Sequence, residues 1–138
     1  MVSTRMNLPA HDARDGRAAL FPPPFSSRCL AAAGALLAAL AVALSAYAAH
    51  VADPAGQSRL QTAAMYAFGH GIALAALAPL ARRALGRYAL IAVLTGTLVF
   101  AGGLACAYFF RTSTALLPYG GSLMILAWLV YAIDALRR

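Results

Sequence analysis

Two histidines, His50 and His70, and one tyrosine, Tyr66, are the residues of this 138-residue chain best suited to move a proton or hold a ligand. An imidazole changes charge near neutral pH and carries a lone pair that can meet a donor or a metal. His70 stands in Met65-Tyr66-Ala67-Phe68-Gly69-His70-Gly71, inside a run from Ala63 to Leu80 that holds no formal charge. Thr62, Tyr66 and His70 fall at i, i+4 and i+8, so they share one face of a helix. Such a stripe is either an access path for protons or a small ligand, or a polar seam against a neighbouring helix. The seam is the commoner use of Thr and His in apolar helices, although an ionisable group within a membrane span is a functional candidate by default.

Other chemistry is poorly supplied. Bis-histidine haem ligation by His50 and His70 needs both rings at one depth, and a separation of about 12 Å at 1.5 Å per residue opposes it. No cofactor is expected, and no metal-ligand spacing, nucleophile triad or phosphate loop is visible. The acids are Asp12, Asp15, Asp53 and Asp134, with no Glu, so the embedded Glu of small multidrug carriers is lacking. Asp134 is the only acid in an apolar run and reads as an interfacial partner of Arg137 or Arg138, three and four residues on. Cys29 and Cys106 fall near opposite ends of their runs, too far apart for a disulfide.

The elements that must position these residues follow from composition. The chain is 62% hydrophobic and 11% charged, against roughly 45–50% and about 25% in a soluble domain. Four apolar runs, about Leu30–Ala49, Thr62–Leu80, Tyr88–Phe110 and Leu117–Leu136, each approach the roughly 20 residues that span a bilayer. Backbone polar groups cannot stay unpaired in lipid, so each run is expected to be helical. The fold class is therefore all-α, an integral membrane four-helix bundle over residues 29–138. Residues 1–28 form a polar, Pro-containing leader without apolar periodicity, expected to be disordered.

The gaps set orientation. Arg5, Arg14, Arg17, Arg28, Arg82, Arg83, Arg87, Arg137 and Arg138 fall on one side of the four spans, and only Arg59 and Arg111 on the other. The positive-inside rule places both termini in the cytoplasm of a bacterial inner membrane. The net charge of +7 is thus spread through the gaps, which speaks for membrane orientation and against nucleic-acid binding. Asp53-Pro54 is a capping residue followed by Pro at a first helical position, so the second helix can start at Pro54, with Gln57, Ser58, Arg59 and Gln61 along the interface. Pro118 starts the fourth helix in the same way. A signal peptide cleaved near Ala46-Tyr47-Ala48 is the rival reading of the first run. Its long leader, its long apolar run and the odd number of spans left behind count against it.

Counting down from the His50 side puts His70 level with Gly102 and Gly103 on the third helix, with Val42 and Ser45 on the first, and with Ser122 and Leu126 on the fourth. Asp134 is then about 12 Å deeper, so a direct His70–Asp134 pair is not expected. Gly96 and Gly103, seven apart, give the third helix a face for close approach.

The motifs together resemble a known family. Ser45-Ala46-Tyr47-Ala48-Ala49-His50 is similar to the G-A-F-G-A-H of the domain-of-unknown-function 423 family of small membrane proteins, and Tyr66-Ala67-Phe68-Gly69-His70 to its Y-x-x-Y-H. Phe100-Ala101-Gly102-Gly103 with Tyr108 resembles its F-S-G-S-L-Y stretch, and Pro118-Tyr119-Gly120-Gly121 with Trp128 its P-x-G-G and following W. The resemblance covers residues 30–136 and marks His50, Tyr66, His70, Gly102, Gly103, Pro118, Gly120, Gly121 and Trp128 as candidate site residues. It implies four membrane helices and supplies no reaction. The function expected is a non-enzymatic membrane component whose partners are the bilayer and either a second copy or another membrane protein. The alternative is a small transporter or proton-coupled carrier using His50, Tyr66 and His70.

Overall fold

The computed structural model describes residues 25–137. They fold as α1 (Phe25–His50), α2 (Pro54–Leu77) with a 3-10 turn at Ala78–Leu80, α3 (Ala84–Thr97), a π-helical turn at Leu98–Gly102, α4 (Gly103–Phe109) and α5 (Leu117–Leu136). There is no strand among the described residues. Four continuous helical stretches, Ser26–His50, Pro54–Leu80, Ala84–Phe109 and Leu117–Leu136, are long and apolar enough to cross a membrane.

These four stretches match the four expected runs, with three starting early, at Ser26, Pro54 and Ala84, and the third ending at Phe109 and not Phe110. Helix α1 begins at Phe25, so Ser26, Ser27 and Arg28 belong to it and not to the leader, and Ser27 is buried. The disorder expected of residues 1–24 lies outside the described residues. Helix α2 begins at Pro54 because Asp53 satisfies its first free donors. Asp53 Oδ1 accepts from Ala55 N (3.1 Å) and Gly56 N (2.9 Å), and Pro54 has no N–H to leave unpaired. The last turn of α1 closes with Val51 N donating to Tyr47 O (2.9 Å), and only Val51, Ala52 and Asp53 separate the two helices.

The bundle consists of two tightly packed pairs. Helix α1 packs along α2, and α3 with its π turn packs along α5, while contacts between the pairs are fewer. Glycines set both crossings. A Cβ on Gly34 would lie 2.6 Å from Gly71 O and 2.7 Å from Ala75 N; one on Gly71 would lie 2.7 Å from Gly34 O. In the other pair a Cβ on Gly120 would lie 2.8 Å from Phe100 N and 3.0 Å from Gly96 O. Gly96 and Gly103 both turn to α5, where their Cβ positions are taken by Met124 and Leu117. Small residues let backbones touch, which is the main source of helix association where lipid leaves no hydrophobic difference to exploit.

The core is split along the bundle. Leu30, Leu74, Ala78, Leu90, Val93 and Ala127 fill the arginine-rich end, and Ala41, Ala63, Ala67 and Ala101 the other half. The hydroxyl of Thr97, fully buried, donates to Val93 O (2.8 Å) and lies 3.4 Å from Met124 Sδ. Outward-facing positions are apolar too: Leu36, Leu40, Met65, Leu126 and Leu129 are all more than half exposed. Asp134, expected to pair with Arg137 or Arg138 at the interface, lies in the last turn of α5 and is 1% exposed. Arg138, one of its two expected partners, lies outside the described residues. At this same end Arg83 Nη1 donates to Arg137 O (2.9 Å), tying the α2–α3 connection to the last turn of α5.

Candidate functional site

The polar stripe of α2 meets a line of rings. Tyr66 and His70 are one turn apart and stack nearly parallel, with centroids 5.9 Å apart and planes 8° apart. The edge of the line on one side is Phe100, 4.9 Å from the Tyr66 ring. On the other side Trp128 lies 6.1 Å from His70, and Tyr131 lies 5.9 Å from Trp128. The row Phe100–Tyr66–His70–Trp128–Tyr131 therefore joins the π turn, α2 and α5. Ring pairs of this kind contribute about 0.5–1.5 kcal/mol each beyond the area they bury.

His70 Nδ1 lies 2.7 Å from Tyr66 O, the carbonyl one turn back in its own helix. A carbonyl can only accept, so Nδ1 carries the proton, and in a neutral ring Nε2 keeps its lone pair. Thr62 likewise bonds within α2, its hydroxyl donating to Ser58 O (2.9 Å). The interhelical hydrogen bonds expected of this stripe are thus made within the helix. What crosses to other helices is ring contact. Tyr66 is 37% exposed and His70 half-buried, so the stripe lies on a flank and not in a closed seam.

The depths differ from those counted along the sequence. Ser45 faces Gln61, with Ser45 Oγ donating to Gln61 Oε1 (2.9 Å) and Gln61 Nε2 donating to Ser45 O (3.2 Å). Gly34 faces Gly71. His70 is therefore level with Gly34 on α1, about 12–16 Å beyond the Val42–Ser45 level expected. The reason is the short α1–α2 turn, which starts the antiparallel pairing at Pro54, well before the apolar run does. On α5 the residue at hand is Trp128, not Ser122 or Leu126.

The expected site residues separate accordingly. Tyr66, His70 and Trp128 come together. His50, exposed at the end of α1, is about 24 Å away along the helix axis. Gly120 makes a backbone crossing and Gly103 underlies Leu117, whereas a Cβ on Gly102 would meet nothing within 4 Å and one on Gly121 only ordinary contact with Phe100 at 3.9 Å. Pro118 opens α5 and is exposed. Reading the sequence missed Phe100, Tyr131 and the Ser45–Gln61 clamp. It also missed the π turn, a device that occurs mostly as single turns and often at functional sites. The clamp lines an apolar groove of about 850 Å³ between α1 and α2, walled by Val42, Ala46, Met65 and Phe68.

Substitutions at His70 separate its two contributions. His70→Phe is expected to keep the ring row and lose only the Nδ1–H bond. His70→Ala loses both and should cost about 1–2 kcal/mol. Unfolding midpoints in a detergent titration should rank wild type, Phe, then Ala; an Ala variant equal to Phe would remove the ring row from the account.

Four apolar helices paired by glycine crossings, with one histidine held among aromatic rings, define a small helical bundle of membrane-protein character. The family model described as protein of unknown function (DUF423) matches residues 44–121, more than half of the chain. The chain belongs to this domain-of-unknown-function 423 family. The matched segment runs from the end of α1 through the first turn of α5 and includes Tyr66, His70 and the π turn. No curated protein and no solved structure matches the chain.

Proposed function

We propose that the protein is a non-enzymatic multi-pass component of the bacterial inner membrane that works by packing against a second copy or another membrane protein. The observation that carries this reading is the outer surface of the bundle. Large apolar side chains are exposed along every span, including Leu36, Leu40, Ile72, Ile91, Leu126 and Leu129. Lipid or a protein neighbour must cover such a surface. Within the bundle several polar groups of the spans are engaged locally: Ser45 with Gln61, Thr97 with Val93 and Met124, His70 with Tyr66.

The orientation follows from charge. Arg82, Arg83, Arg87 and Arg137 gather at one end of the pairs and Arg59 and Arg111 at the other, so both termini belong in the cytoplasm. A C-terminal fluorescent protein that matures only in the cytoplasm should glow, and a C-terminal phosphatase that needs export should be inactive. The reverse pattern overturns the orientation. Crosslinking in native membranes tests the packing role: a discrete dimer or one reproducible neighbour supports it, and a monomer at all crosslinker concentrations removes it.

The carrier reading keeps one observation in its favour, the unshared Nε2 of His70 beside an exposed Tyr66 on the flank of α2. Loss of proton uptake into vesicles in a normally folded His70→Phe variant would favour it.

A further inference from the structure

The two arginines of the arginine-poor end stand 52 residues apart in sequence, yet both line one cavity of about 410 Å³. Arg59 comes from the second turn of α2 and Arg111 from the connection between α4 and α5. Asp53, Gly56, Tyr108 and Thr112 also line it, with Ala55 and Ala107. The floor is built with care. The Tyr108 ring lies directly on Gly56, where any Cβ would strike it, and Tyr47 braces that ring edge-on at 6.3 Å. Asp53 spends Oδ1 on two backbone donors of α2. Arg111 takes a left-handed φ of 52°, the only positive φ among the described residues. A long side chain seldom adopts that conformation.

We propose that this cavity binds the zwitterionic headgroup of an aminophospholipid, with Arg59 and Arg111 on the phosphodiester and Asp53 on the ammonium. Three features select this ligand. Two guanidiniums match the geometry of phosphate oxygens. One carboxylate in the same cavity disfavours a plain anion and offers Oδ2 to a primary ammonium. The cavity lies where the helices end, at the level headgroups occupy when the spans cross a bilayer. The inference rests on the membrane reading proposed above.

The test uses the full chain in nanodiscs of mixed phosphatidylethanolamine, phosphatidylglycerol and phosphatidylcholine, released for native mass spectrometry. Retained lipid should be phosphatidylethanolamine, because phosphatidylcholine lacks ammonium donors and phosphatidylglycerol lacks the cation. Arg59→Gln and Arg111→Asn should each lower retention about tenfold. Asn tolerates the left-handed backbone, so the turn survives. Asp53→Asn keeps a good helix cap and should shift preference from phosphatidylethanolamine to phosphatidylglycerol. Unchanged preference in Asp53→Asn, or equal retention of all three lipids by the wild type, overturns the proposal. Free phosphoethanolamine competing at millimolar concentration would assign the site to a soluble headgroup analogue and overturn the lipid assignment. Failure of the protein to enter nanodiscs would instead overturn the membrane reading itself.

Discussion

Gly71→Val is expected to separate α1 from α2 and to cost about 3 kcal/mol or more. The space a Cβ needs there is occupied by backbone: Gly34 O at 2.7 Å and Ala38 N at 2.8 Å. Side chains can swing aside, whereas two helix backbones can only move apart. Moving apart also breaks the Ser45–Gln61 clamp further along the same pair. Gly34→Val should act alike, since its Cβ would meet Gly71 O and Ala75 N. The neighbouring Gly69 is the control. A Cβ there meets nothing within 4 Å, so Gly69→Ala should be neutral or stabilising by up to about 1 kcal/mol through helix propensity. Unfolding midpoints in a mixed-detergent titration measure all three. A Gly71→Val protein as stable as Gly69→Ala would show that the pair is not held by its backbone crossing.

Gly120→Val is expected to release α5 from α3, at a cost of about 2–3 kcal/mol. Its Cβ would press on Phe100 N inside the π turn, on Gly96 O and on Val99 Cγ1 at 2.8–3.0 Å. The effect should be visible locally, because Trp128, the single tryptophan, rides on α5 and packs against His70. Its emission should shift as the helix leaves α2 and α3. Gly121→Ala, one residue on, touches only Phe100 at 3.9 Å and should leave emission and stability unchanged. The same shift from both variants would mean that the whole Gly-Gly motif, and not one contact within it, holds α5.

That pair of glycines shows where sequence reading reaches and where it stops. Pro118-Tyr119-Gly120-Gly121 marks the beginning of the last helix, and the helix does begin there. Adjacent residues point about 100° apart, however, so which glycine touches a neighbour depends on the rotation of the helix. Rotation is set by packing that no local pattern records. The four spans were legible because their apolar runs are long. Gly96 and Gly103 were legible as one face because their spacing survives in the folded helix, where both meet α5. The depth of His70 was not, because it depends on the length of the α1–α2 turn, and a cap at Asp53 moves the start of pairing by two helical turns. The burial of Asp134 was likewise hidden, since its neighbours on the sequence are arginines and its neighbours in space belong to the bundle. Tyr66 and His70 were legible as a stripe, but not that rings from the π turn and α5 would extend it.

The division of the bundle into two tight pairs has a consequence for biogenesis. Each pair is contiguous in the chain: α1 and α2 are joined by three residues, and α3 reaches α5 through the π turn, α4 and one short connection. Once Leu80 has left the ribosome, everything that holds the first pair is present, including both crossing glycines and the Ser45–Gln61 clamp. If the hairpin enters a bilayer as proposed, the amide of Gln61 does so with its partner Ser45 already made in the same hairpin. The second hairpin then has a template to pack on, and fewer contacts join the two pairs than hold each one together. The chain order therefore permits assembly in two instalments, with the Ser45–Gln61 clamp available as soon as the first hairpin is made.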